Sequence, residues 1–127
     1  MRKSALALAL SLAALAVAVP VATSQSGAAL RRESGNVVKL TALKAGLAFD
    51  KKTVTAKAGK VTIVFTNLSP LPHNVVLEQG EKPFGGTKTI ATGKTTAVLT
   101  LKKGEYRFYC NVPGHEDAGM SGKLIVS

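Results

Sequence analysis

The side chains best suited to chemistry in this sequence are scarce. Cys110 is its only cysteine, His73 and His115 its only histidines, and Met120 its only methionine besides the initiator. Three of the four fall in one short segment, Tyr109-Cys110-Asn111-Val112-Pro113-Gly114-His115-Glu116-Asp117-Ala118-Gly119-Met120, with the spacing C-x4-H-x4-M. A thiol, an imidazole and a thioether on one loop can turn toward a common point. Pro113-Gly114 bends the chain before His115, and Gly119 lets the backbone pass close to a bound ion. The fourth donor, His73, follows two prolines in Ser69-Pro70-Leu71-Pro72-His73-Asn74-Val75-Val76, which present it from a stiff, extended lead. Taken singly, a lone cysteine is usually a small buried hydrophobe and a lone methionine core filler. Four together, with no donor of these types left over, describe a metal site.

The donor set selects the metal. Two imidazoles and a thiolate with a distant thioether suit one copper ion that changes oxidation state with little rearrangement. Zinc tolerates Cys and two His but gains nothing from a thioether. An iron–sulfur cluster needs about four thiolates or an equivalent set. A second copper centre would need further histidines, which excludes a multicopper oxidase. A Cys110–His115 nucleophile pair would lack an orienting partner and leave Met120 unexplained, so the chain is read as no enzyme. A copper chaperone or buffer is the alternative to an electron carrier, although such proteins favour exposed, exchangeable donors.

These donors need a frame. Val61, Ile63 and Phe65 alternate with Thr62, Val64 and Thr66, and Ala97, Leu99 and Leu101 alternate with Thr96, Val98 and Thr100, the period of half-buried strands. Shorter runs of the same kind cover Val37 to Leu43, Val54 to Ala56, Asn74 to Leu77, Tyr106 to Cys110 and Lys123 to Val126. Turn signals separate them, among them Ala58-Gly59, Gly85-Gly86, Gly93 and Lys103-Gly104. The pattern predicts an all-β, antiparallel Greek-key sandwich or barrel of seven to eight strands, with Tyr106, Phe108 and Cys110 facing the core and Tyr109 facing outward.

Upstream, Met1-Arg2-Lys3 and the Ala/Leu/Val run from Ala5 to Val19, broken by Pro20, have the form of a secretory leader. The expected organisation is a leader over 1–24, with its cut between 23 and 29, a flexible lead-in over 25–36, and one domain over 37–127. The product would be exported to a periplasm, the extracellular space or a thylakoid lumen, touching a membrane only through an uncut leader. The net charge is +10, carried by lysines spread along the chain with few aromatics. That makes a solvated cationic surface, not a nucleic-acid reader.

His73 to Val76 and Tyr106 to Met120 resemble the two ligand segments of the cupredoxins, the plastocyanin and azurin group of blue copper proteins. Pro72 to Val76 and Tyr106 to Cys110 resemble plastocyanin most, while the four residues between Cys110 and His115 resemble azurin. The resemblance implies a type 1 copper held strongly by His73, Cys110 and His115 and weakly by Met120. It implies that Asn74 ties the two ligand loops by hydrogen bonds. It also implies an electron-transfer surface at His115 and Pro113, with Leu71, Pro72, Val112 and Ala118 in an apolar patch, and a second route at Tyr109 in cationic surroundings. The partners would be redox proteins with acidic docking surfaces, and the carrier a monomer.

Overall fold

The computed structural model describes residues 36–127. The leader and all of the lead-in but Asn36 lie outside the described residues. Eight strands make the fold: β1 (Val37–Ala42), β2 (Thr53–Ala56), β3 (Gly59–Asn67), β4 (Val76–Gln79), β5 (Lys82–Gly86), β6 (Gly93–Leu101), β7 (Gly104–Tyr109) and β8 (Ser121–Val126). One sheet has the order β1-β3-β6 and the other β2-β8-β7-β4-β5. The all-β sandwich agrees with the alternation in the sequence, with two qualifications. Two pairs, β1 with β3 and β2 with β8, run parallel, so both sheets are mixed. Period-two alternation decides which face is buried and carries no information about strand direction. The second qualification is β5, which contains Pro83 and ends in Gly85-Gly86, composition that reads as turn. It is an edge strand, where a proline costs no ladder bond.

The strand periods place the core. In β3, Val61, Ile63 and Phe65 are fully buried, with intermediate residues between them. Tyr106, Phe108 and Cys110 are equally enclosed, so the inward face of β7 carries the sulfur to the rim of the core. Phe49 joins the two sheets: its ring meets Phe65 of the first edge-on at 6.1 Å and Phe108 of the second at 5.5 Å. Burying each such side chain stabilises the fold by about 2–3 kcal/mol.

Strand direction divides the sandwich into two ends. β3, β1 and β7 end, and β4, β6 and β8 begin, at the pole that bears Cys110. The opposite pole carries the turns β2–β3, β4–β5 and β6–β7. There the buried Tyr106 hydroxyl accepts from Lys102 N–H and donates to Lys102 carbonyl oxygen, both at 3.1 Å, pinning the β6–β7 turn to the core.

Candidate metal centre

Three segments supply the site. β7 runs out into Cys110, whose N–H donates to the Met120 carbonyl at 3.1 Å, closing the loop at its base. Within the loop, His115 N–H donates to Val112 carbonyl at 3.0 Å and Met120 N–H to His115 carbonyl at 3.1 Å. Gly114 and Gly119 take φ values of 81° and 95°, backbone that a side chain would strain. Lys52 donates to the carbonyls of Gly119 at 2.6 Å and Ser121 at 3.2 Å, fastening the far end of the loop to the start of β2.

His73 comes from the connection between β3 and β4. It exchanges backbone hydrogen bonds with Ile90, each 3.0 Å. Beneath this connection Asn67 is fully buried, and its amide donates to the carbonyls of Leu71, Ile90 and Ala91 at 2.8, 2.8 and 2.7 Å while its oxygen accepts from Ser69 N–H at 2.9 Å. One side chain thus meets four backbone groups, sharing the Ile90 carbonyl with His73 N–H, and each such hydrogen bond contributes about 1 kcal/mol.

These frames bring three donor atoms together. His73 Nδ1 lies 3.0 Å from His115 Nδ1, and Cys110 Sγ lies 3.8 Å from the first and 3.6 Å from the second. A triangle with these edges has its centre about 2 Å from every corner, the ordinary bond length from a transition metal to imidazole nitrogen. His73 and Cys110 are fully buried and His115 is half-buried. His73 Nε2 is enclosed without a hydrogen-bond partner, which leaves Nδ1 as the one ring nitrogen with neighbours to serve. Burial, and then the adjacent His115, lower the His73 pKa below its usual 6.5 and keep the ring neutral, with a lone pair to give. Two imidazole nitrogens and a sulfur turned on one another inside an apolar rim are the donor set of a copper site. Met120 is fully buried at the base of the same loop, tied through its backbone to both Cys110 and His115.

Asn74, next to His73, accepts from Asn111 N–H at 3.0 Å and donates to Thr89 Oγ1 at 3.0 Å and to the Asn111 side-chain oxygen. It therefore joins the residue after one histidine to the residue after the cysteine. The sequence reading overlooked Asn67, Thr89 and Asn111. For Asn67 a signal existed: it continues the buried phase Val61, Ile63, Phe65 as a polar residue, just before Ser69-Pro70.

His115 is half-buried, and the expected neighbours Leu71, Pro72, Pro113 and Ala118 are exposed, while Val112 is half-buried against the core. Tyr109 differs from expectation. It does face away from Phe108, yet it is only 9% exposed, because the Arg107 guanidinium lies 5.2 Å over its ring. Arg107 is held there by Glu78 at 3.0 Å and by Glu116, so the surroundings are mixed in charge and not cationic. Burial and those two carboxylates push the Tyr109 hydroxyl pKa upward.

Comparison with known proteins agrees with this geometry. Residues 36–127 match the family model described as copper binding proteins, plastocyanin/azurin family. The chloroplast plastocyanin of Chlamydomonas reinhardtii is 38% identical over 97 residues, which cover 70% of this chain and 65% of that protein's length. Plastocyanin of Lactuca sativa is 38% identical over 92 residues, covering 65% of this chain and 90% of that one. Among solved structures, dithionite-reduced auracyanin from Roseiflexus castenholzii superposes with a TM-score of 0.68 at 25% identity, covering 73% of this chain and 98% of its own. Auracyanin A of Chloroflexus aurantiacus, a blue copper protein, gives 0.65 at 27% identity, covering 72% and 98%.

Proposed function

The chain belongs to the plastocyanin/azurin family of copper-binding proteins, and we propose that within it the chain is an exported one-electron carrier between redox proteins. The ligands are His73, Cys110 and His115, with Met120 as the weak axial donor. Bound among them, copper supplies a one-electron couple. The protein's part is to keep the donors where they are in both oxidation states. Asn67 fixes the approach to His73, Asn74 locks the two ligand segments to each other, and Lys52 fastens the end of the loop. With Cys110 and His73 fully enclosed, water is kept from the centre, and His115 alone of the three reaches the rim. Charge thus enters and leaves at the His115 edge, within the apolar collar of Leu71, Pro72 and Pro113. The leader over 1–24 delivers the domain to a periplasm, the extracellular space or a thylakoid lumen, and the lysine-rich surface favours partners with acidic docking faces.

The observation that carries this reading is the triangle of Cys110 Sγ and the two Nδ1 atoms. Visible and electron spin resonance spectra of the copper-loaded protein test it. An intense thiolate band with narrow copper hyperfine splitting is expected, and Cys110→Ser should remove the band. A pale complex unaffected by Cys110→Ser would overturn it in favour of a buffer or chaperone that binds copper elsewhere.

A further inference from the structure

At the pole opposite the metal centre, the lysines have a different setting from those around the site. The β2–β3 connection carries Lys57 and leads into Lys60 near the start of β3, the β4–β5 turn leads into Lys82, and the β6–β7 turn holds Lys102 and Lys103. The ladder brings them to one end, since Gly59 pairs with Leu101 and Lys60 with Thr100. All five are exposed, and none takes part in an ion pair among the described residues. Two carboxylates stand at this end, Glu81 in the β4–β5 turn and Glu105, second in β7, which is paired with Lys123. At the metal pole Lys44, Lys88 and Lys94 are also exposed and in no ion pair among the described residues, but Lys51 pairs with Asp50, Lys52 is spent on the carbonyls of Gly119 and Ser121, and Glu116 and Asp117 sit in the ligand loop, so that end carries more negative charge.

The chain also enters the domain at this lysine-bearing end. Asn36 donates to the carbonyls of Lys57 at 2.7 Å and Lys60 at 2.9 Å and accepts from Lys57 N–H at 2.7 Å, so the start of the fold is bolted between two of the lysines. A few residues upstream in sequence stand Arg31 and Arg32, and beyond them the apolar run from Ala5 to Val19. A basic cluster of about four to eight side chains next to an apolar segment is the pattern that anionic lipid headgroups attract.

We propose that this pole is a seat for an anionic phospholipid surface, which holds the domain with its metal end directed away from the bilayer. The arrangement leaves the His115 edge free for a redox partner while the opposite turns lie on the headgroups. It holds whether the leader is cut or kept, because Lys57, Lys60, Lys82, Lys102 and Lys103 belong to the folded domain itself. An acidic protein docked on the same turns is the competing occupant. Lipid is favoured because flexible lysines at three separate turns suit a diffuse and fluid array of phosphates better than a shaped protein face.

The full chain would be co-sedimented with vesicles of phosphatidylcholine alone and with vesicles carrying about a third phosphatidylglycerol, the quantity read being the gain in binding due to the anionic lipid. That gain should fall about tenfold or more in a Lys60→Gln, Lys102→Gln, Lys103→Gln triple variant. It should fall less than about threefold in a Lys44→Gln, Lys88→Gln, Lys94→Gln control of equal net charge at other sites, and it should fade as salt rises. Hydrogen exchange on the anionic vesicles should show protection at 57–60 and 102–104 and none at 112–119. Equal losses in the two variants, or protection over the ligand loop, would overturn the proposal. So would the absence of any gain from anionic lipid, which would leave the turns to an acidic protein. None of these outcomes bears on the copper ligands, which the spectra of the loaded protein test separately.

Discussion

The two poles of the sandwich are built from the same kind of part, connections between strands, and treat backbone polar groups in opposite ways. At the metal pole the connections are stitched by buried side chains: Asn67 serves four backbone groups and Asn74 spans from one ligand segment to the other. At the opposite pole the turns carry lysines and are held from the exposed side, Asn36 serving three backbone groups of the β2–β3 turn, with Tyr106 anchoring the β6–β7 turn from the core. The difference shows what a redox site asks of a loop. A turn that only reverses the chain can leave its amides to solvent. A loop that must hold a donor within tenths of an ångström needs every amide answered from inside.

The severest way to break this comparison is Cys110→Ser, which should abolish the intense visible band and weaken copper binding by at least about a hundredfold, as read by competition with a chelator. Next comes Asn67→Ala, which removes the side-chain partner of three carbonyls and of the buried Ser69 N–H. It should lower stability by about 2–4 kcal/mol in urea titrations and speed copper loss, whereas a surface turn variant at the other pole does neither. Asn74→Ala and Tyr106→Phe form the sharpest pair. Each removes buried hydrogen bonds worth about 1–3 kcal/mol, yet only Asn74→Ala should shift the reduction potential and the spectrum, since only it touches both ligand segments. Equal spectral shifts in the two would mean that the poles are not distinct.

A smaller effect is expected with pH in the copper-free protein. Above pH 6.5 His73 is neutral in both folded and unfolded chains. Below it the unfolded chain takes up a proton that the buried, lowered-pKa ring resists, so stability should decline as pH falls, visible as a lower urea midpoint at pH 5.5 than at 7.5. The smallest effect is that of Lys102→Gln, within about 0.5 kcal/mol of the parent by the same titration.

The donor residues could be picked out from sequence because they are the only members of their kinds, and the strands because their buried faces repeat every second residue. Both signals are local. Strand direction is not, and so the parallel pairing of β1 with β3 and of β2 with β8 had no mark in the text of the chain. β5 was hidden by Pro83 and its glycines, since an edge strand lacks the constraint that excludes proline elsewhere. Tyr109 points to the outer face as alternation requires, but its cover depends on Arg107 being drawn between Glu78 of β4 and Glu116 of the ligand loop. No spacing rule connects those three positions. Asn111 and Thr89 belong to the same class, being partners that meet only after the sheets close.

Cys110, His115 and Met120 lie on one short loop, while His73 arrives from 37 residues earlier in the chain. A denatured chain therefore keeps most of a chelate, and copper should cling to it before any sheet exists. Metal that binds both forms stabilises the folded one only by the ratio of the two affinities, and His73 supplies much of that ratio. Refolding with copper present should accordingly begin from a three-donor adduct, with the arrival of the distant imidazole as its last, colour-changing event.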